Sequence, residues 1–198
     1  MSASPVRLAI LASGSGSNLQ AILDHFDALG AKAPARVMLV ASDRADAFAL
    51  ERARHRGIAT CLVEDPADGR AMTRMLDAHG VELVALAGYV KRVPPEVTGR
   101  WRDAIVNVHP ALLPKFGGPG MYGRRVHAAV LAAAERETGA TVHFVDDEYD
   151  HGAVIAQERV PVRRGDTADS LAARVLEAEH RLYPRTLHDL ALAFARQA

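Results

Sequence analysis

The sequence predicts one α/β domain in which a mostly parallel, twisted sheet is flanked by helices. Short apolar runs alternate along the whole chain with longer segments whose apolar residues recur at helical spacing. Two of the runs, 83–87 and 104–108, are almost purely apolar, which is typical of strands buried on both faces of a parallel sheet. No repeat, low-complexity segment or linker interrupts the alternation, so residues 1–198 are expected to form a single domain.

The predicted elements follow one another in a regular order. Strands are expected at 6–12, 35–41, 58–63, 83–87, 104–108, 141–145 and 153–160. A first helix is expected to begin at Ser17 or Asn18, whose side chains can cap it, and to run past Phe26. Further helices are expected at 48–56, 67–79, 125–137, 168–181 and 183–195. The connection 114–124 is rich in Gly and Pro and is interpreted as a long active-site loop.

Charge and composition argue against several classes of protein. Lys and Arg total 24, as do Asp and Glu, so we expect no nucleic acid and no anionic membrane as a partner. No apolar run approaches membrane-spanning length, and the N-terminus lacks a secretory pattern. A single cysteine excludes an internal disulfide. We therefore expect a cytoplasmic protein.

The most informative motif is Asn107-Val108-His109-Pro110, which follows the apolar run 104–106. Residues two apart in a strand point to the same face, so Asn107 and His109 should emerge together. Pro110 cannot donate to a sheet ladder, so the strand should end there, where open parallel sheets bind their ligands. Together with the distant acid Asp150, an amide donor and an imidazole can handle a tetrahedral acyl intermediate.

A glycine-rich turn joins the first strand to the first helix, with Gly14, Gly16 and Ser17 followed by Asn18. Free backbone N–H groups at a helix start favour an anion, which predicts binding of a phosphate monoester. No Gly-Lys-Ser/Thr follows, so the turn is not a P-loop, and Leu19 occupies the third glycine position of a dinucleotide fingerprint. A bare structural turn remains the alternative.

For each of the other polar residues, an ordinary structural role is an alternative to a functional one. Asp150 precedes His151-Gly152 and suits an ordinary turn. Thr141 and His143 share one strand face, so they either support the same pocket or simply pair across strands. Nine histidines suggest a metal, yet no pair has metal-ligand spacing beside an acid or a thiol, so no metal is expected.

Taken together, these segments resemble the folate-dependent formyltransferases, and within them the phosphoribosylglycinamide formyltransferases. The resemblance rests on the glycine turn 13–20, Ser-Asp-Arg-Ala-Asp-Ala-Phe at 42–48, Leu-Ala-Gly-Tyr at 86–89, Val-Asn-Val-His-Pro-Ala-Leu-Leu-Pro-Lys at 106–115, the segment 142–152 and Glu-Ala-Glu-His-Arg-Leu-Tyr-Pro at 177–184. It covers nearly the whole chain in order. It implies a Rossmann-like formyltransferase fold and formyl transfer from 10-formyltetrahydrofolate to the amine of 5'-phosphoribosylglycinamide in de novo purine biosynthesis.

The resemblance also implies roles for individual residues. The catalytic set would be Asn107, His109 and Asp150, with Asp150 raising the pKa of the imidazole. The substrate phosphate and ribose would be held by Gly16, Ser17, Asn18 and Glu179. The folate would be bound by Arg70, Val90, Lys91, Arg92, Val93, Asn107, Asp146, Asp147, Glu148, Tyr149 and Asp150. The N-terminal half would thus bind the nucleotide, and the C-terminal half would bind folate and carry out catalysis. The loop 116–125 is longer and richer in glycine than its counterpart in the family.

Rival functions follow from the same residues. Formyltetrahydrofolate deformylase shares the catalytic set but usually carries an additional N-terminal domain, and methionyl-tRNA formyltransferase adds a C-terminal one. A chain that begins at its first strand and ends at residue 198 is expected to contain neither. A non-catalytic folate- or nucleotide-binding module is the alternative from another class. The expected partners are the two small substrates, and the expected state is a monomer or homodimer.

Overall fold

Seven strands form one sheet, which the computed structural model describes within residues 4–196. They are β1 (Val6–Leu11), β2 (Ala35–Ser42), β3 (Ala59–Leu62), β4 (Leu83–Leu86), β5 (Ile105–His109), β6 (Glu137–Phe144) and β7 (Val154–Pro161). The spatial order is β3-β2-β1-β4-β5-β6-β7. Strands β1 to β5 pair in parallel, whereas β6 is antiparallel to both β5 and β7. The prediction of a single α/β domain with a mostly parallel sheet is confirmed.

The helices lie between the strands as predicted, but three details of the prediction are wrong, of which the third concerns the last helix. They are α1 (Ser17–Leu29), α2 (Phe48–His55), α3 (Gly69–Ala78), α4 (Pro95–Arg100), α5 (Arg124–Ala132) and α6 (Ala168–Phe194), with a 3₁₀ turn at Gly30–Lys32. The short α4 was not predicted, although Pro95 at its first position is a recognised start signal. The helix expected at 125–137 ends at Ala132, because Ala134 adopts a left-handed φ of 50° and Glu137 already pairs with β7.

The two closing helices predicted at 168–181 and 183–195 are one continuous helix that contains Pro184. Proline removes one helical hydrogen bond and usually interrupts a helix. Here the residues on both sides of it are buried against the sheet, among them Tyr183 and Leu187. The Tyr183 hydroxyl donates to the carbonyl oxygens of Leu86 and Val106, at 3.1 and 3.0 Å. Tertiary packing therefore holds both halves of α6 in line.

Successive side chains of each strand point to opposite faces of the sheet, and the buried residues form a separate core on each face. In β1, Leu8 and Ile10 pack with α1 and α6, whereas Ala9 and Leu11 pack with α3 and α4. The chain runs from β1 outwards to β3 and then returns to place β4 on the other side of β1. The carboxyl ends of β1 and β4 therefore flank the point where the strand order reverses, which is the usual ligand site of such sheets.

Candidate active site

The end of β5 presents the two polar groups that the sequence singles out. Asn107 and His109 lie two residues apart, and the strand ends at His109, directly before Pro110. Across the antiparallel ladder, Asn107 pairs with His143 and His109 pairs with Thr141. Four polar side chains therefore share one face at the end of β5, and the His109 side chain is only 3% exposed.

Asp150 reaches this face from the loop after β6. One carboxylate oxygen lies 3.4 Å from Nδ1 of His109, and the other lies 3.5 Å from Nε2 of His143. Asp150 itself adopts a left-handed φ of 56°. The backbone N–H of Gly118 donates to the same carboxylate at 2.9 Å. The structure thus brings together the three residues of the predicted catalytic set.

Close approach of the glycine-rich loop to Asp150 depends on Gly117. A Cβ at this position would lie 2.6 Å from a methyl group of Leu113 and 3.1 Å from Cβ of Asp150. Both distances are shorter than ordinary van der Waals contacts, so a side chain here would push the loop away from the carboxylate. The absence of a side chain at Gly117 therefore allows the hydrogen bond from Gly118.

The Asp150 carboxylate is ionised at neutral pH. Burial alone would raise the pKa of Asp150, but the hydrogen bond from His109, the charge of His109 and the N–H of Gly118 together hold it below its ordinary value of 3.8. A buried negative charge therefore faces the His109 ring. This arrangement stabilises a positively charged imidazole at that position.

Both nitrogens of His109 face acceptors. Nδ1 faces the Asp150 carboxylate, and Nε2 lies 2.8 Å from the carbonyl oxygen of Phe116 in the glycine-rich loop. A carbonyl oxygen only accepts hydrogen bonds, so Nε2 carries a proton. The doubly protonated ring satisfies both partners, as a proton donor at the site would require.

His143 orients the amide of Asn107. Nδ1 of His143 lies 2.7 Å from the carbonyl oxygen of Phe144, so that nitrogen carries the proton of a neutral ring. Nε2 then accepts a hydrogen bond from the Asn107 amide at 3.1 Å. Because Nε2 accepts from Asn107, it carries no proton for the Asp150 carboxylate, which lies 3.5 Å away. With one amide hydrogen engaged, the other remains to donate to an oxygen in the site.

Thr141 has a structural role beneath the site. Its hydroxyl donates to the carbonyl oxygen of Ala111 at 2.6 Å and accepts from the N–H of Leu113 at 3.0 Å. Gln157 donates to the same hydroxyl from β7 at 2.9 Å. Thr141 therefore fixes the chain that leaves β5, and it does not line the cavity described below.

The glycine turn before α1 is held close to α2. Gly16 has a left-handed φ of 70°, and a Cβ there would lie 2.8 Å from Cα of Ala49. The side chain of Arg52 donates to the carbonyl oxygen of Ser15 at 2.8 Å. These contacts fix the backbone of the turn at the N-terminus of α1, where the dipole favours an anion.

Asn18 and Glu179 link this turn to α6. The Asn18 amide donates to the Glu179 carboxylate at 2.6 Å, and both side chains are buried. Burial raises the pKa of Glu179, while the hydrogen bond from Asn18 and the charge of His109 oppose that shift. The amide oxygen of Asn18 is buried without a hydrogen-bond partner among residues 4–196. The pair therefore offers polar atoms for a ligand.

A cavity of about 600 Å³ is lined both by the catalytic set and by the Asn18–Glu179 pair. Its volume is typical of sites for small molecules. The predicted site residues that line it are Asn18, Val90, Lys91, Arg92, Val93, Asn107, His109, His143, Asp146, Glu148, Tyr149, Asp150 and Glu179. The predicted site residues that do not line it are Gly16, Ser17, Arg70, Asp147 and Thr141.

Two of the predicted site residues that lie outside the cavity are Arg70 and Asp147. Arg70 lies on the exposed surface of α3. Asp147 supports the loop after β6: its carboxylate accepts from the Thr98 hydroxyl at 2.6 Å, and its carbonyl oxygen accepts from the Arg92 side chain. A contact of either residue with folate remains a prediction.

Sequence reasoning missed two buried polar residues of the cavity wall, Tyr89 and His127. Tyr89 stands in the quoted Leu-Ala-Gly-Tyr segment, and its hydroxyl is buried without a partner among residues 4–196. Burial, with smaller contributions from Asp43 and Tyr149, raises the pKa of Tyr89 well above its ordinary value of 10. His127 follows the glycine-rich loop, and only that proximity could have indicated it.

Within residues 4–196, no group of three or more His, Cys, Asp or Glu side chains is arranged to hold a metal ion. In the same part of the chain, no helix combines the length and apolar character needed to cross a bilayer.

Comparison with known proteins gives a consistent result. The sequence model of the family described as formyl transferase matches residues 6–187. The chain is 41% identical over 184 residues to the chloroplastic phosphoribosylglycinamide formyltransferase of Arabidopsis thaliana, which covers 89% of this chain and 62% of the plant protein. It is 40% identical over 185 residues to the phosphoribosylglycinamide formyltransferase of Escherichia coli (strain K12), which covers 90% of this chain and 84% of that protein.

A solved structure shares the fold. The phosphoribosylglycinamide formyltransferase of Anaplasma phagocytophilum aligns with a TM-score of 0.88 at 36% identity, covering 96% of this chain and 88% of that one. The present chain thus spans about three fifths of the plant relative and most of the two bacterial proteins.

Proposed function

Because the chain belongs to the formyl transferase family, we propose that it transfers the formyl group of 10-formyltetrahydrofolate to the amine of 5'-phosphoribosylglycinamide in de novo purine biosynthesis. The convergence of Asn107, His109 and Asp150 at one cavity wall carries this proposal. An amide donor, a protonated imidazole and a buried carboxylate are the groups that acyl transfer to an amine requires.

The reaction begins when the substrate amine attacks the formyl carbon. The carbonyl double bond opens to give a tetrahedral intermediate with a negatively charged oxygen. The second amide hydrogen of Asn107 donates to that oxygen, and one such donor contributes about 3 kcal/mol to catalysis. The His109 imidazolium stabilises the same charge, and the Asp150 carboxylate stabilises the imidazolium.

Collapse of the intermediate transfers one proton overall. The bond between the formyl carbon and N10 of the folate breaks, and N10 takes a proton from His109. The neutral imidazole then takes a proton from the attacking nitrogen, so the imidazolium is restored after each cycle. For Nε2 to reach the substrate, it has to exchange its hydrogen bond with the Phe116 carbonyl for one with the ligand. The reaction then leaves a formamide on the ribonucleotide and free tetrahydrofolate.

The proposal places the two substrates in different parts of the site. The phosphate would bind the backbone of Gly16, Ser17 and Asn18 at the start of α1, and Glu179 would accept hydrogen bonds from the ribose hydroxyls. The folate would lie against the segment after β4 and the loop after β6. In this placement both halves of the chain contact the folate, because the segment after β4 belongs to the N-terminal half.

Deformylase activity is the closest rival, because the same three residues can direct water to the formyl carbon. An assay that follows loss of 10-formyltetrahydrofolate separates the two reactions. We expect loss only when 5'-phosphoribosylglycinamide is present. Equal loss without the ribonucleotide would indicate a deformylase, and tight binding of both ligands without turnover would indicate a non-catalytic module.

A further inference from the structure

His127 is a buried imidazole that the proposed mechanism does not use. It lies near the start of α5, is 4% exposed and lines the same cavity as His109. Its Nδ1 is sealed from solvent and has no hydrogen-bond partner among residues 4–196. Polar atoms buried without a partner are costly and uncommon, so this ring is expected to have a function.

The environment of His127 defines its charge and tautomer. Burial, followed by the charge of His109, lowers the pKa of His127 below its ordinary value of 6.5. The ring is therefore neutral at neutral pH and carries one N–H group. Since an orphaned buried N–H is rarer than an orphaned acceptor, the proton belongs on Nε2 and the lone pair on sealed Nδ1. Nε2 is not sealed, so it can donate into the cavity.

The position of His127 indicates which substrate it meets. Helix α5 packs on α6, and Ala172, Leu176 and Glu179 of α6 line the cavity together with His127. The charge of His109 acts on both His127 and Glu179, so both lie near the reacting centre. This wall is the one that leads through Asn18 to the glycine turn. The segment after β4 and the loop after β6, where the folate is proposed to bind, are different elements that line the same cavity.

We propose that His127 donates its Nε2 hydrogen to an acceptor oxygen of the ribonucleotide substrate and thereby contributes to recognition of that substrate. The inference rests on the proposed function, since it assigns one further residue to the same site. The acceptor is a ribose or glycinamide oxygen. A neutral donor suits these uncharged oxygens better than a cation would, because it needs no counter-charge in a buried wall.

Two substitutions distinguish the ring nitrogens. The terminal amide of His127→Gln reaches the position of Nε2, whereas that of His127→Asn reaches only the position of Nδ1. Calorimetric titration of wild type and both variants with 5'-phosphoribosylglycinamide, and separately with a 10-formyltetrahydrofolate analogue, measures the effect. We expect His127→Asn to weaken ribonucleotide binding about tenfold and His127→Gln to stay within about threefold of wild type. Affinity for the folate analogue should be unchanged in both.

The control is His55→Asn, on the exposed end of α2, which should bind both ligands as wild type does. Thermal unfolding of each variant shows whether the fold is retained. Equal ribonucleotide affinity in the two His127 variants, or a parallel loss of affinity for both ligands, would overturn the inference and leave the proposed function standing. Failure of the wild-type protein to bind the ribonucleotide would overturn the proposed function itself, and the role of His127 with it.

Discussion

The Asp150 carboxylate lies 3.4 Å from Nδ1 of His109, although the two residues belong to different segments of the chain. Strand β5 positions the imidazole, and the loop after β6 positions the carboxylate. The N–H of Gly118 in the glycine-rich loop fixes the carboxylate from a third direction. These three segments therefore hold the charge of Asp150 beside the His109 ring, which is the basis of the proposed chemistry.

Replacing Asp150 by Asn should greatly reduce turnover. The substitution removes the charge that stabilises the His109 imidazolium, and Asn tolerates the left-handed φ of 56° at this position. We expect kcat for formyl transfer to fall about 10²–10⁴-fold. Asp46→Asn, which removes a carboxylate from the exposed surface, should leave kcat unchanged. A kcat within threefold of wild type in Asp150→Asn would exclude the residue from catalysis.

Stability should depend on the ionisation of Asp150 at acid pH. Because the folded-state pKa lies below the ordinary value of 3.8, the ionised group stabilises the native state above that value. The contribution is lost as the pH falls from about 4 towards the lower folded-state pKa. We expect the difference in unfolding free energy between wild type and Asp150→Asn to decline between pH 5 and pH 3. Urea unfolding at each pH measures it, and a constant difference over this range would contradict the assignment.

The Asn107 amide should act in the transition state and contribute little to binding. Asn107→Ala removes the donor that His143 orients, so we expect kcat to fall about 10²–10³-fold while KM for either substrate changes little. Asn107→Asp keeps the size of the side chain but replaces the donor by an acceptor, and it should be at least as impaired. A rise in KM without a fall in kcat would assign Asn107 to ground-state binding.

Gly16 should tolerate no side chain, whereas its neighbour Gly14 should. A Cβ at Gly16 would lie 2.8 Å from Cα of Ala49 and 2.9 Å from its Cβ, on a backbone with φ of 70°. We expect Gly16→Ala to lower the unfolding free energy by about 2–4 kcal/mol, from crowding and from the left-handed backbone. Nothing lies within 4 Å of a Cβ at Gly14, so Gly14→Ala is the matched control. Equal stability of the two variants in urea would contradict this description of the turn.

The α/β class and the end of β5 could be predicted from the sequence alone. The alternation of strand and helix patterns along the chain indicated the α/β class, and Pro110 indicated where β5 ends. Both could be predicted because each signal lies within a short segment of the sequence. The continuity of α6 through Pro184 could not be predicted, since it depends on burial of both halves against the sheet. Local proline chemistry favoured an interruption there.

The convergence of Asn107, His109 and Asp150 could be predicted from the sequence, whereas most contacts around these residues could not. Asn107 and His109 share a face because strand geometry requires it. Nothing in the sequence shows that the Thr141 hydroxyl bonds the backbone of Ala111 and Leu113, or that Asn18 bonds Glu179, because those contacts depend on tertiary packing. His127 was missed for the same reason.

The central claim is that these side chains transfer a formyl group to an amine, and isotopic labelling tests it most directly. The protein is incubated with 5'-phosphoribosylglycinamide and 10-formyltetrahydrofolate that carries carbon-13 in the formyl group, and the products are identified by NMR. We predict that the label appears in the formamide of the ribonucleotide, and that Asp150→Asn forms this product far more slowly. Label recovered only as free formate, with the ribonucleotide unchanged, would contradict the account.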